Sequence, residues 1–252
     1  MRIAEIAPPW IPVPPKGYGG IELVVDLLAQ GFEAHGHDVT LFAREGSRSA
    51  AEVVSPVPAA GSDSIGDRWH EAYHSVSAYQ HADDFELIHD HTFLGPALAR
   101  CDGGPITVHT LHGPWDDESR AYYGLLDDRV HFVAISETQR RANQDVRYAA
   151  TIPNGIDVGR YPLHEGERDD FLVYIGRANA EKAPEVAVEV AHRALTGFLR
   201  QELDELVTCI ERAGTISPLA CRARVEEYFS AETMVDRYLQ LFHALLGDRT
   251  DG

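Results

Sequence analysis

Two rhythms of apolar residues alternate along this chain. Short continuous apolar runs have the length of buried strands. Between them, apolar residues recur every three or four positions, as on one face of a helix. Met1 to Ala7 opens the chain as a strand, and positions 21, 24, 25, 28 and 32 then form a helical face. Gly36 stands where a helix C-cap needs a left-handed backbone. Asp38 to Ala43 is the next strand. Further strands are predicted at Phe85 to His89, Pro105 to Thr110, Val130 to Ile135 and Tyr148 to Ile152, with helices over 67–81, 94–100 and up to about Leu126. Ser136-Glu-Thr-Gln139 has the form of a capping box, with Ser136 as N-cap and Gln139 reaching back to it. Residues 44–66, rich in Ser, Ala, Pro and Gly, predict a long loop. Six strands alternating with helices imply an α/β sheet with right-handed crossovers. The opening order of strand, Gly-rich loop, helix and strand is that of a doubly wound, Rossmann-like domain.

After the Pro153-Asn-Gly155 turn the pattern changes. Residues 156–170 are charged and irregular and read as a linker, which divides the chain into a domain over 1–155 and a second unit over 156–252. That unit has one strand, at 171–176, then helices over 184–195, 202–213, 218–229 and 231–246. Ser217 and Pro218 suit the N-cap and first helical position of the third of these. In the last, Val235, Tyr238, Leu239, Phe242, Leu245 and Leu246 share one face. A lone strand exposes its edges unless it is paired or covered, so the 171–176 edge is a candidate homodimer contact.

Charge narrows the function. With 22 Lys and Arg against 40 Asp and Glu, the net charge of −18 argues against nucleic acid, whose phosphates need clustered cations. A small anion in a cleft needs only a few local cations and remains compatible. No apolar stretch is long enough to span a membrane, and the first residues lack the features of a signal peptide, so a cytoplasmic location is expected. Cys101, Cys209 and Cys221 have neither metal nor redox spacing and read as reduced thiols.

Three groups could carry chemistry. The loop Lys16-Gly-Tyr-Gly-Gly20 leads into the first long helix, and Gly19 and Gly20 let backbone approach a ligand where a Cβ would block it. Arg177 and Lys182 follow the 171–176 strand and precede Pro184, placing an Arg fork and a point charge beside a helix start. His89, His91, His109 and His112 cluster near the ends of two strands. His89 and His109, among apolar neighbours, read as core residues, while His112, beside Gly113 in the loop after a strand, can face a cleft. Their spacing has no helical His-x-x-x-His pattern, so no metal ligands are expected.

Several pieces together resemble a known family: Gly19-Gly-Ile-Glu22, Phe85-Glu-Leu-Ile-His-Asp-His91, Thr110-Leu-His-Gly113, Val133-Ala-Ile-Ser136, Ile152-Pro-Asn-Gly-Ile-Asp157, and Tyr174-Ile-Gly-Arg177 with Lys182. In this order the chain resembles a retaining glycosyltransferase of family 4, whose GT-B fold has two Rossmann-like domains. The resemblance covers residues 1 to about 195 and returns near the C-terminal end. It implies a nucleotide-sugar donor, an unidentified acceptor and no metal cofactor. It also implies that Gly19, Gly20, Arg177 and Lys182 bind the donor diphosphate and that His112 lies by the sugar at the reaction centre. The chain departs from the family after Leu195, where it passes directly to Thr196-Gly-Phe-Leu199. The βα units that carry the family's Glu-x7-Glu motif, on the order of 100 residues of a usual domain, have no counterpart there. The second unit is therefore expected to be a truncated, mostly helical form of the donor-side domain. The alternative implied is a catalytically impaired relative that acts as a partner or regulatory subunit, or is a remnant.

Overall fold

The computed structural model describes residues 1–58, 65–101, 103–126, 128–164, 166, 174, 183–188 and 217–250. Two compact units are present, one formed by Met1–Arg160 with Glu226–Gly252, the other by Tyr161–Val225. The first unit is built on a parallel sheet of seven strands in the order β3-β2-β1-β4-β5-β6-β7. The strands are β1 (Arg2–Ile6), β2 (Asp38–Phe42), β3 (Glu52–Val54), β4 (Leu87–Asp90), β5 (Ile106–Leu111), β6 (His131–Ala134) and β7 (Tyr148–Thr151). Six of them fall where the apolar runs predict. β3 does not: it lies inside the stretch read as a loop. Its three residues pair only with β2, at the sheet edge, too short a segment to carry a period.

The described α-helices are α1 (Gly20–Ala34), α2 (Arg68–Tyr79), α3 (Asp117–Gly124), α4 (Glu137–Ala142), α5 (Pro218–Phe229) and α6 (Ala231–Thr250). Strand parity divides the core between the two faces of the sheet. Ile3, Leu41, Leu87, Val108 and Val133 pack with Val25, Leu28 and Phe32 of α1 and with Val235, Tyr238 and Phe242 of α6. On the other face, Ala4, Ile6, Phe42 and Ile88 pack with Ala78 of α2. Helices on both faces of a parallel sheet are the doubly wound, Rossmann-like arrangement. Gly36 takes the positive φ of 79° expected of it after α1.

The helical face predicted for the last helix is the one buried: Phe32 and Phe242 meet at 5.4 Å between ring centres. α6 is tied to the end of the β7 segment as well. Ile156 and Ser230 form a parallel bridge, and Gly155 fits so closely that a Cβ would lie 2.7 Å from the Ser230 carbonyl oxygen. In the Tyr161–Val225 unit, residues 184–188 are helical, at the start of the predicted 184–195 helix. Ser217 Oγ accepts from Ala220 N at 3.3 Å, as an N-cap does. Of the predicted 171–176 strand only Tyr174 is described, and 202–213 lie outside the described residues.

Candidate functional site

Register places a buried carboxylate against a row of histidines. β1 pairs with β4 so that Glu5 stands opposite His89. His91 lies two residues further on, on the same face of the sheet as His89. Glu5 Oε2 lies 3.0 Å from His89 Nδ1, and Oε1 lies 2.7 Å from His91 Nε2. His89 Nε2 is 2.8 Å from Thr110 Oγ1, which is 2.7 Å from the Tyr238 hydroxyl of α6. His91 Nδ1 is 2.8 Å from His112 Nε2, and these two rings stack at 5.1 Å.

Burial alone would push the Glu5 carboxyl up, but the His89 and His91 rings beside it outweigh that and hold it below the usual carboxylate value. Burial pushes His91 down to about 4 and His112 well below the ordinary histidine range, with neighbouring rings adding to both. His91 and His112 are therefore neutral at neutral pH. The donor atoms of Glu5, His89 and His91 lie within 4.8 Å of one another, the spacing of a three-ligand metal set. Each carboxylate oxygen of Glu5 already has an imidazole partner, so hydrogen bonding alone accounts for the cluster's geometry.

A cleft of about 440 Å³ opens at the carboxyl ends of β1, β4 and β5. In the strand order, β1 lies between β2 and β4, where the connections change direction. That switch point is where doubly wound sheets hold their ligands. His91 and His112 line the cleft, and so do Gly20 and Glu22 from the first turn of α1. Trp10, Tyr18, Phe93 and Trp115 supply aromatic surface. Gly19 is the N-cap of α1 with φ 149°, and a Cβ there would sit 2.6 Å from Pro15 Cβ. The junction between the Pro-rich loop and the helix therefore requires glycine. At Gly20 a Cβ would meet open space.

The loop that carries His112 is held from β6 and α4. Ser136 caps α4, accepting from Gln139 N at 3.0 Å. The Gln139 side chain does not close the predicted capping box. Its Oε1 accepts from Ile135 N at 2.9 Å, one residue before the cap, and its Nε2 donates to the carbonyls of Leu111 and Gly113 at 3.0 and 2.9 Å. A longer-range task has displaced the local one, because those two carbonyls flank His112. Trp115 Nε1 also donates to Gln139 O at 3.1 Å.

Alternation along β4 sends Asp90 to the opposite face. Its Oδ1 accepts from Thr92 N and Thr92 Oγ1 at 2.6 and 2.8 Å, and its Oδ2 from the Tyr79 hydroxyl at 2.8 Å. Burial pushes Asp90 up to about 7 despite these donors. Gly95 faces this carboxylate so closely that a Cβ would collide with Asp90 Oδ2. His109 lies on the same side as Asp90, stacked on Tyr123 at 5.3 Å and pushed down by burial to about 3.

The structure brings His112 and Gly20 to one cleft and puts Gly19 at its helix junction. Arg177 and Lys182 lie outside the described residues. Sequence reading missed Glu5, Thr110 and Gln139. The available signal was parity: Glu5 interrupts the apolar face of β1 that Ile3 and Ala7 share, just as His89 follows Leu87 in β4.

Residues 18–160 match the profile of Glycosyltransferase Family 4. The chain belongs to this family. A comparison with curated proteins gives no match. Among solved structures, AviGT4, described as a glycosyltransferase involved in avilamycin A biosynthesis, superposes with a TM-score of 0.50 at 23% identity. The superposition covers 85% of this family-4 chain and 61% of AviGT4, so the chain spans less than two thirds of that protein's length. What the two share is the fold, the Rossmann-like α/β architecture of GT-B glycosyltransferases.

Proposed function

We propose that the chain binds a nucleotide-diphosphate sugar and transfers the sugar, with retention of anomeric configuration, to an acceptor hydroxyl in the β1/β4/β5 cleft. The observation that carries this reading is His112: a neutral imidazole lining a cleft at the switch point of a family-4 sheet. In the reaction the bond between the anomeric carbon and the diphosphate breaks, the acceptor oxygen bonds to that carbon, and the acceptor proton is lost. Negative charge develops on the leaving diphosphate. In this reading Arg177 and Lys182 supply the cations that stabilise it electrostatically, and Gly19 and Gly20 belong to the donor-binding residues. No divalent ion is needed for this charge, so chelation with EDTA leaves turnover unchanged.

The cleft also restricts the acceptor. None of its described lining residues is Lys or Arg, while Glu22, Glu71 and Asp116 are among them. Its aromatic side chains suit stacking on a sugar ring or an aryl group. The acceptor in this reading is an uncharged or cationic hydroxyl compound, not an anionic one.

The test is turnover of a panel of UDP- and GDP-sugars against neutral polyol and aryl alcohol acceptors, with the product anomer read by NMR. Transfer with retention, lowered roughly 100-fold in His112→Ala, is the expected result. An inverted product would contradict the reading. The direct passage from Leu195 to Thr196-Gly-Phe-Leu199, without the βα units of the family's donor-side domain, favours a second reading, an impaired transferase that serves a catalytic subunit. Absence of turnover by the purified chain, with co-purification of an active transferase, is its signature.

A further inference from the structure

We propose that Glu5, acting through His91, fixes the tautomer of His112, so that His112 presents a bare Nδ1 and accepts a hydrogen bond from a ligand hydroxyl. Proton positions are fixed outward from Glu5. An ionised carboxylate only accepts hydrogen bonds. Both of its oxygens face imidazole nitrogens, at 3.0 and 2.7 Å, so His89 must carry its proton on Nδ1 and His91 on Nε2. A neutral imidazole has one N–H, and its other nitrogen accepts. His91 Nδ1 therefore accepts, and its partner at 2.8 Å, His112 Nε2, must donate. That leaves the lone pair on His112 Nδ1, which has no hydrogen-bond partner among the described residues, in a side chain that lines the cleft.

In the second branch His89 Nε2 lies 2.8 Å from Thr110 Oγ1, which lies 2.7 Å from the Tyr238 hydroxyl. Two chains of hydrogen bonds thus meet at one carboxylate, one from α6 and the other from the cleft. Glu5 and His91 are positioning residues in this scheme, since neither has to touch the reacting atoms. The assignment deepens the reading of the cleft as a sugar-transfer site and rests on it only for the identity of the hydroxyl. The tautomers themselves can be read without ligand, so a failure here is distinguishable from a failure of the transferase reading.

The experiment is a two-bond proton–nitrogen correlation spectrum of full-length protein labelled with 15N-histidine, with ring signals assigned by single substitutions. The expected pattern is His89 protonated on Nδ1, and His91 and His112 each on Nε2. A His112 ring protonated on Nδ1, or a His91 ring protonated on Nδ1, overturns the proposal in the unmodified protein. So does a stoichiometric metal bound by Glu5 and the two rings. In His91→Leu the ratio of the two His112 tautomers should fall by about tenfold, the worth of one buried hydrogen bond; an unchanged ratio counts against the proposal. Glu5→Gln is nearly isosteric and serves if His91→Leu does not fold. Its amide can accept from one ring only and must donate to the other, so His89 or His91 should reverse its tautomer. Unchanged tautomers on both rings in Glu5→Gln contradict the scheme.

Discussion

Gln139 holds the His112 loop on both sides of the histidine, donating to the carbonyls of Leu111 and Gly113, while its own carbonyl oxygen accepts from Ile135 N. Gln139→Ala removes these bonds together and is expected to destabilise the protein by about 1–3 kcal/mol. Urea unfolding measures this; no change in midpoint would show that water replaces the side chain. The sequence located Gln139 three residues after a cap but could not say which groups it would serve. Side-chain partners across 26 and 28 residues depend on how β5 and β6 are placed side by side, and no local rule encodes that. The same holds for Glu5 and His91, 86 positions apart in sequence and 2.7 Å apart in space. His112 was readable because its position is a local fact: a polar residue beside glycine just past the end of a buried strand.

At the scale of elements, the packing of α6 on α1 is close enough to be tested by one methyl group. A Cβ at Gly31 of α1 would collide with the side chain of Val235 on α6. Alanine raises helix propensity at that position, yet overpacking a fitted contact costs about 1–3 kcal/mol. Gly31→Ala should therefore lower the urea midpoint, and the double variant Gly31→Ala with Val235→Ala should recover part of the loss. A midpoint raised by Gly31→Ala alone would show that α6 is not seated there. α1 and α6 were legible from their apolar periods, whereas their contact was not, because more than 190 residues separate the partners in sequence. β3 marks the opposite limit: three residues at an edge carry too little pattern to separate strand from loop.

At the scale of the molecule, buried titrating groups set the response to pH. Burial pushes His74 and His91 down to about 4 and His109 to about 3, and pushes His112 down as well. An unfolded histidine takes up its proton near 6.5, so these rings favour the folded state fully above that pH and lose this contribution as pH falls towards 4. Glu5, held low, acts in the same sense. Asp90, pushed up to about 7, acts oppositely, its contribution disappearing as pH rises from about 4 to 7. Asp26, Glu22 and Glu71, raised by burial, share its sign. The four rings outweigh Asp90 between pH 6.5 and 5, where all of them charge on unfolding and the other carboxyls of the unfolded chain stay ionised. The melting temperature should be lower at pH 5 than at pH 7.5; a flat or inverted profile would mean that the rings are solvated in the folded protein. Among the described residues no helix is long and apolar enough to cross a membrane. The proposed donor is a nucleotide-diphosphate sugar, and Arg177 and Lys182 are the proposed cations for its diphosphate. Titration calorimetry with UDP, GDP and their sugars tests this most directly. One nucleotide sugar is expected to bind with a dissociation constant below millimolar, and Arg177→Ala and Lys182→Ala should each weaken it by about tenfold or more. Absence of binding by every nucleotide and nucleotide sugar at millimolar concentration, or binding indifferent to both substitutions, would contradict it.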